Sequence, residues 1–307
     1  MLEYDKNLTF RIIYGNINLF FPGCGDINFY AQKGEEILTM EKKWINEFVA
    51  KEKATHIAFF GGAIASRFDY SILEETLKQY GQAKVAKWDG LGLRVAFLPP
   101  VKMKQDSRFP GWNVKPEKWF YEQIAAGEIE EKSLWLGNAE KGGEVDLFDP
   151  RCKPNHNKGK QMWEGDENFL GPIIEGLRNG GKIAHYEYGP QSSRFGVSVI
   201  EAEQHVYPDP ALANLLGFNP EQVIMSEGVV QGSYLSQAYP GLPRFKDGQT
   251  NTLVWFRERL EGGRYRLYGG DSDWGGRAYV SYDSVGCRWR YISYLPLVVL
   301  SPWKLRA

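Results

Sequence analysis

The pattern of hydrophobic and polar positions divides the chain into a regular first part and an irregular second part. In the first part, strand and helix signals alternate, because short apolar runs are separated by segments that carry an apolar stripe at helical spacing. Strands are predicted at 8–14, 17–21, 55–60, 85–88 and 93–98, and helices at 41–53, 71–81 and 116–126. This order predicts an N-terminal α/β unit.

The second part contains few helical patterns. Helices are predicted at 168–177 and, with a break at proline, at 199–216, and a buried strand is predicted at 295–300. Between the two parts, residues 148–160 are polar, contain proline and show no periodicity, which is typical of a linker or a long surface loop. The sequence therefore predicts an α+β protein. The two predicted domains are residues 1–150 and 151–307.

Composition and charge narrow the class of protein. The 307 residues carry a formal net charge of -1 at pH 7, which gives no electrostatic argument for a nucleic acid or an anionic membrane as partner. The cysteines, three in number and widely separated, fit neither a disulfide framework nor a zinc site. No signal-peptide segment and no membrane-spanning apolar run is visible. We therefore expect a soluble protein of the cytoplasm or of a virion.

Several candidate sites have simpler explanations than catalysis. Gly61-Gly62 follows a predicted strand and could bind a phosphate at a helix N-terminus, but it lacks the spacing of phosphate-binding loops, so a tight turn is the simpler interpretation. The four histidines lack metal-ligand spacing, and His56, within an apolar run, is expected to be a hydrogen-bonded core residue. Asp271 and Asp273, with Glu258 and Glu261 upstream, could form a carboxylate pair for hydrolysis or a hard-cation site, but acidic residues are common in glycine-rich turns. No catalytic residue, cofactor or metal ion is predicted.

The most informative segment is 266–294, which consists mainly of Gly, Tyr, Ser, Asp, Arg and Trp. This mixture is typical of binding loops, because Tyr and Trp supply contact area at low entropic cost while Ser and Asp supply hydrogen bonds. The segment directly precedes the apolar run at 295–300. The pattern therefore indicates a rigid scaffold that presents a binding surface.

The sequence from residue 252 onward resembles the C-terminal part of proteins with the C-type lectin fold, in the form found in formylglycine-generating enzymes. The matching elements are a tryptophan-containing strand at 254–256, a Gly-Gly-Trp element at 266–274, an aromatic tract at 286–291 and a final apolar strand at 294–300. Residues 195–203 also resemble a family segment that opens a helix. The resemblance implies an irregular, loop-rich C-type-lectin-like domain with short strands after the N-terminal α/β unit.

Within this group, the tract is similar to the variable proteins of diversity-generating retroelements, whose lectin-type domain displays ligand-contacting residues on a fixed backbone. The resemblance implies a set of displayed positions, in which the two tryptophans are either contacts or scaffold. These positions are Asp271, Ser272, Asp273, Trp274, Tyr279, Ser281, Tyr282, Asp283, Ser284, Arg288, Trp289, Arg290, Tyr291, Ser293 and Tyr294.

The catalytic branches of the family have no counterpart in this chain. Its oxidases use a closely spaced cysteine pair with copper, whereas this region contains only Cys287, and the related sulfoxide synthases use a histidine-rich iron site that the four histidines do not reproduce. The family's closing Gly-Phe-Arg is also replaced by Tyr294-Leu-Pro-Leu. The resemblance therefore implies the binding branch.

The leading hypothesis is a non-catalytic protein that binds a protein or another macromolecule through this Tyr/Ser/Asp/Arg-rich face. Two alternatives remain: an α/β enzyme that binds a nucleotide or small ligand near Gly61-Gly62, and a structural or assembly subunit of a phage or nucleoprotein complex. Under the leading hypothesis, Trp274 is largely buried against the final strand, while Tyr279, Tyr282 and Tyr291 are at least partly exposed.

Overall fold

The computed structural model describes residues 2–4, 9–14, 17–22, 27–151, 162–218, 224–239, 253–270 and 279–300, with side chains from residue 39 onward. The chain divides into two units, Met1–Glu47 and Phe48–Ala307. Helices and mostly antiparallel sheets make up the described part, which confirms the predicted α+β class. No helix in these described ranges is both long and apolar enough to cross a membrane.

The first unit contains a three-stranded antiparallel sheet. Its strands are β1 Leu2–Tyr4, β2 Thr9–Tyr14 and β3 Ile17–Pro22, in the order β1-β2-β3. Tyr14 pairs with Ile17, so β2 and β3 form a hairpin, and both strands predicted in this region are confirmed. Helix α1, Ile27–Phe60, begins in this unit.

The second unit combines short helices with two four-stranded sheets. Its helices include α2 Gly62–Ala65, α3 Ser71–Gly90, α4 Lys118–Ala125, α5 Gly171–Asn179, α6 Val199–Glu201, α7 Pro210–Leu216 and α8 Val229–Ala238. Its strands include β4 Arg94–Leu98, β5 Glu144–Phe148, β6 Ile224–Ser226, β7 Leu253–Leu260, β8 Tyr265–Gly269, β9 Val280–Ser284, β10 Ile292–Tyr294 and β11 Pro296–Val299. A π-helical turn, Ala202–Val206, directly follows α6.

The two sheets of the second unit differ in pairing. One has the order β4-β5-β11-β6 and is antiparallel throughout. The other has the order β10-β7-β8-β9, in which β10 and β7 are parallel and the remaining pairs are antiparallel. Strand β11 confirms the buried strand predicted at 295–300, since Leu295, Leu297, Val298 and Leu300 are all buried.

The domain boundary predicted at residue 150 has to be corrected. Strand β5 lies before that boundary and β11 lies after it, yet the two strands are hydrogen-bonded neighbours in one sheet. Domain boundaries fall where few contacts cross, and this sheet joins both sides. The units instead divide between Glu47 and Phe48. A polar, aperiodic segment marks a loop but does not show whether the flanking strands pair with each other.

Two predicted strands, at 55–60 and 85–88, are wrong, because both segments are helical. The first is the end of α1, where the buried positions Ile45, Val49, Glu52, His56 and Phe59 recur every three or four residues. This spacing places one helix face against the core. A short apolar run does not by itself distinguish a buried strand from the last turns of a helix.

Helix α3 contains the segment 85–88, which was predicted as a strand, and also the segment 71–81, which was correctly predicted as a helix. The predicted helix at 71–81 ends at Gly81, which has a φ of 73° and breaks the helical backbone. A second helical segment then continues to Gly90 and includes the apolar residues that suggested a strand. Trp88, buried at 1% exposure, contacts the core there and donates a hydrogen bond to the Leu216 carbonyl.

His56 is a hydrogen-bonded core residue, as predicted, although it lies on a helix. Its Nδ1 lies 2.8 Å from the Tyr70 hydroxyl and its Nε2 lies 3.1 Å from the Phe97 carbonyl oxygen. Glu52, one turn earlier, accepts hydrogen bonds from the Phe97 N–H and the Tyr239 hydroxyl. Burial raises the pKa of Glu52 to about 7 and lowers the pKa of His56 to about 4. Both groups are therefore predominantly neutral within the core between these two values.

A second buried polar group, the Arg194 network, consists of Arg194, Asp149, Asp166 and Arg151. The Arg194 guanidinium donates to Asp166 at 2.7 and 2.5 Å and to Asp149 at 2.7 Å, and Arg151 donates to Asp149 at 2.8 Å. Burial opposes ionisation of Asp149, but the two arginines hold its pKa below the usual value. Burial raises the pKa of Asp166 above its usual value in spite of Arg194. The network ties the segments around residues 149, 166 and 194 together.

Candidate functional site

The part of the predicted display tract from β9 to β10 is held on a fixed backbone. The connection 285–291 between these strands is hydrogen-bonded to the segment 186–200 in three places. The Gly196 N–H donates to the Trp289 carbonyl, the Ile200 N–H donates to the Val285 carbonyl, and the Tyr186 hydroxyl donates to the Arg290 carbonyl. These bonds occupy the backbone and leave the side chains of 288–290 exposed to solvent.

Most of the predicted positions that the structure describes are accessible. Tyr282, Arg288, Trp289 and Arg290 are exposed. The partly exposed positions are Tyr279, Ser281, Asp283, Ser284 and Tyr291. The partial exposure expected for Tyr279, Tyr282 and Tyr291 is thus confirmed. Asp271, Ser272, Asp273 and Trp274 lie outside the described residues.

Ser293 and Tyr294 are corrections, because both are fully buried. They belong to β10, which pairs with β7 inside the unit. Ser293 Oγ accepts a hydrogen bond from Trp163 Nε1 at 3.0 Å, and the Tyr294 ring packs edge-on against Tyr207 at 5.7 Å. Ser and Tyr are typical of binding loops, but here the two side chains pack in the interior beside the apolar strand β11.

Accessible side chains of the tract and one residue outside it, Tyr188, form an aromatic–arginine face, which consists of Tyr188, Arg288, Trp289, Arg290 and Tyr291. The Trp289 and Tyr291 rings stack at 5.4 Å, and the Arg290 guanidinium lies 5.7 Å from the Tyr188 ring, within cation–π distance. Tyr188 and Trp289 are 57% and 38% exposed. Tyr188 was not among the predicted positions, although its place beside Gly189-Pro190 in a polar loop indicated an accessible aromatic residue.

Polar contacts from neighbouring residues orient this face. Asp283 accepts a hydrogen bond from Trp289 Nε1 at 2.7 Å, and Glu201 accepts one from Arg288 Nε at 2.9 Å. Glu201 also forms a capping box with Ser198, the N-cap of α6. The segment that resembles a helix-opening element therefore does open a helix, and its capping carboxylate contacts the face.

Arg178 supports the loop that carries Tyr188. Its buried guanidinium donates to the carbonyl groups of residues 184, 191, 193 and 195. A guanidinium has five N–H donors in a rigid plane, so it can fix several carbonyl groups at once. This loop has little regular secondary structure. The hydrogen bonds from Arg178 therefore fix its backbone, as helix or sheet hydrogen bonds do in other segments.

Tyr282 lies in a separate aromatic cluster. Its ring stacks on Trp119 of α4 at 5.7 Å with an interplanar angle of 12°, and it packs edge-on against Tyr265 at 5.4 Å. Tyr282 is nevertheless 44% exposed. It therefore has both a packing role and an accessible surface.

Gly61-Gly62 lacks the context that a phosphate-binding loop requires. The preceding segment is helix α1 and not a strand, and α2 after it has four residues. Gly61 has a φ of 85°, a conformation that favours glycine, so the residue allows a sharp turn between two helices. Neither glycine lines the cavity described next.

A cavity of about 780 Å³ lies elsewhere in the second unit. Its wall is formed by the segment 129–140, Glu144 of β5, Met225 of β6, Gln231 of α8 and residues 257–259 of β7. Glu144 and Asp146 lie on the same face of β5, because side chains alternate along a strand. The term carboxyl pocket is used here for this cavity together with Glu144, Asp146 and Glu258.

The carboxyl groups of this pocket have raised pKa values. Burial and the neighbouring Glu144 raise the pKa of Asp146 well above its usual value, and the two carboxyl groups are hydrogen-bonded to each other. Burial also raises the pKa of Glu144 and of Glu258, partly offset by Arg257. Raised carboxyl pKa values beside a cavity are a feature of functional sites. Of this group, the sequence indicated only Glu258 as a candidate acidic residue, since strands β5 and β7 are far apart in the chain.

Comparisons with known proteins add no relative: no protein-family model, no curated protein and no solved structure matches the chain. Among the described residues, no group of three or more His, Cys, Asp or Glu side chains is arranged to hold a metal ion. The aromatic–arginine face and the carboxyl pocket are the two candidate functional sites.

Proposed function

We propose that this chain is a binding protein that recognises a protein or another macromolecule through the aromatic–arginine face. The observation that carries the proposal is the exposure of Trp289 and Tyr188, next to Arg288 and Arg290, on a backbone fixed by hydrogen bonds. Trp, Tyr and Arg are the residue types most often found at the energetic centre of protein interfaces.

The side chains of this face are held in place by contacts within the protein, which supports the proposal. Stacking on Tyr291 and the bond to Asp283 restrict Trp289 before any ligand arrives, and the contact with Tyr188 restricts Arg290. Restricting side chains in advance reduces the entropy lost on binding. The two arginines favour a partner surface with carboxylate or aromatic groups. A relationship to retroelement-diversified variable proteins, with a lectin-type domain, remains part of this proposal.

The test begins with the selection of a ligand from a displayed library of protein domains and peptides, with the full chain as bait. Affinity for the selected ligand is then measured for the wild type and for Trp289→Ala and Arg290→Ala. Each substitution should weaken binding at least about tenfold, as truncation of an interface centre does. The melting temperature should change little, because surface substitutions cost about 0.5 kcal/mol or less.

The matched control is Ile57→Ala, which truncates another exposed apolar side chain, 53% accessible, on helix α1. Binding should be unchanged in this variant. Equal affinity of Trp289→Ala and the wild type would contradict the proposal. Self-association of the wild type in sedimentation experiments, lost in Trp289→Ala, would instead assign the face to assembly between copies of this chain.

A further inference from the structure

The carboxyl pocket contains buried acceptor atoms that the described part of the chain leaves unsatisfied. Glu258 lines the cavity and is 4% exposed, yet its Oε1 atom has no hydrogen-bond partner there. Neither oxygen of the fully buried Asp146 accepts from an N–H group of the described residues, and its neighbour is the carboxyl group of Glu144. An unsatisfied buried acceptor costs about 1–3 kcal/mol, and more when it is charged. A ligand that brings hydrogen-bond donors would remove this cost.

The basic residues at the rim of the cavity are already paired. Lys132 contacts Glu130, and Arg259 lies 3.7 Å from Glu203, which is outside the cavity wall. All four side chains are at least 41% exposed, so their charges are largely screened by water. The rim therefore contributes little net charge to the interior.

The interior of the pocket has an excess of acidic groups. Glu144, Asp146 and Glu258 face one guanidinium, that of Arg257, whose Nε lies 3.9 Å from Glu258 Oε1. Arg257 alone does not compensate the buried Asp146 and Glu258 together with the partly buried Glu144. Two further cationic groups act on these carboxyl groups from outside the cavity wall: Lys141, which is exposed, and Arg266, which is paired with Glu203. A positively charged ligand would offset this excess of acidic groups.

We propose that the carboxyl pocket binds a small organic cation, a ligand with one or more primary ammonium or guanidinium groups. An ammonium brings three donors and a guanidinium five, and their hydrogen bonds to carboxylates are charge-assisted. Trp135, in the cavity wall, adds a ring that a cation can contact. A volume of about 780 Å³ lies within the range of small-molecule sites. The site is distinct from the aromatic–arginine face.

The proposal has a thermodynamic consequence. A bound cation favours the ionised form of a neighbouring carboxyl group and lowers its pKa. The carboxyl groups of the pocket should therefore release protons when the cation binds, and affinity should increase with pH through their titration range. A neutral ligand of the same shape would produce neither effect.

The experiment is isothermal titration calorimetry of the full chain with 1,4-diaminobutane and with agmatine, which has a guanidinium. The matched neutral probe is 1,4-butanediol, which should bind at least about tenfold more weakly because it lacks charge-assisted bonds. Titrations at one pH in two buffers of different ionisation enthalpy measure the released protons. Glu258→Gln and Glu144→Gln should each weaken diamine binding at least about tenfold, and Glu175→Gln, at an exposed position of α5 outside the cavity wall, should change it less than about twofold.

Three results would overturn the proposal. These are the absence of diamine and agmatine binding at millimolar concentration, equal binding of 1,4-butanediol, and an equal loss in Glu175→Gln and Glu258→Gln. The last result would indicate non-specific attraction to surface acids. Because the comparison of probes uses only the wild type, it remains decisive even if one of the variants does not fold. Proton release together with a selective loss in Glu258→Gln supports the site.

Discussion

The second unit buries two clusters of charge that differ in their pairing. In the Arg194 network, each carboxylate accepts hydrogen bonds from a buried guanidinium at 2.5–2.8 Å. In the carboxyl pocket, Asp146 is equally buried but accepts from no N–H group of the described residues and has the carboxyl group of Glu144 as its neighbour, and Glu258 has one unsatisfied oxygen. The first cluster adjoins the core aromatics Trp163 and Phe169, whereas the second adjoins a cavity.

This difference shows that burial of a charge does not by itself identify a functional group. A buried pair with complete hydrogen bonding holds segments of the chain together, and removing one partner leaves an uncompensated charge. A buried carboxyl group beside a cavity, without a donor, is instead available to a ligand. Pairing therefore distinguishes scaffold from candidate site in this protein, and three substitutions test that distinction.

The largest effect is expected for Arg194→Met. This substitution leaves Asp149 and Asp166 buried without their main cation, which should lower the free energy of unfolding by about 3–5 kcal/mol. Chemical denaturation at pH 7 measures the loss. Arg288→Met is the control, since Arg288 is exposed and pairs with Glu201 at 2.9 Å, and it should cost about 1 kcal/mol or less. Similar losses in the two variants would contradict the scaffold role.

An intermediate effect is expected for Glu52→Gln. This buried carboxyl group accepts hydrogen bonds from the Phe97 N–H and the Tyr239 hydroxyl and, within the described part of the chain, from no Lys or Arg side chain. The folded state raises the pKa of Glu52 from 4.5 to about 7. Its contribution to stability is therefore complete below pH 4.5 and is lost as the pH rises to about 7. The stability of Glu52→Gln minus that of the wild type should rise by about 3 kcal/mol over this interval.

His56 affects the wild type in the opposite direction. Its pKa is lowered from 6.5 to about 4, so its contribution is present above pH 6.5 and is lost as the pH falls toward 4. The two groups thus offset each other in the wild type, whereas Glu52→Gln should lose stability steeply on acidification. Denaturation curves at several pH values between 4.5 and 7.5 measure both proteins. A constant difference across that range would show that Glu52 titrates normally.

The smallest effect is expected for Asp146→Asn, which should stabilise the protein. The raised pKa of Asp146 means that the wild type loses stability as the pH rises through the folded-state value, and asparagine removes this loss. We expect a gain of about 1–2 kcal/mol at pH 8 and a smaller gain at pH 5. Asp149→Asn, in the Arg194 network, is the matched control and should destabilise, because the two arginines hold the pKa of Asp149 below its usual value in the folded state. A loss in both variants would mean that the two clusters are equivalent.

Much of the fold could be predicted from local pattern. The strands β2, β3, β4 and β11 and the helix at α4 follow from apolar runs and flanking turn residues. The end of α1 could not, because Phe59 and Phe60 face a core built from distant segments, and the resulting apolar run resembles a strand. Tertiary packing, which a single sequence does not display, decides such cases.

The candidate sites were predictable to different degrees. The face containing Trp289 and Arg290 could be found from composition, because it lies within one continuous tract. The burial of Tyr294 could not, since its partner strand β7 is distant in sequence. The sequence offered Glu258 as a candidate acid, but its grouping with Glu144 could not be predicted for the same reason, because the two residues belong to different sheets. A carboxylate within an apolar strand was the available signal for Glu144.

The position of β11 has a consequence for synthesis of the protein. This strand lies between β5 and β6, so the sheet cannot be completed until residue 299 has left the ribosome. Until then, one edge of β5 lacks its final partner, and open strand edges promote association with other chains. Pairings that join distant segments also form slowly. The nascent chain is therefore expected to depend on chaperones that bind exposed strands, and a ribosome stalled before residue 296 should yield an aggregation-prone intermediate.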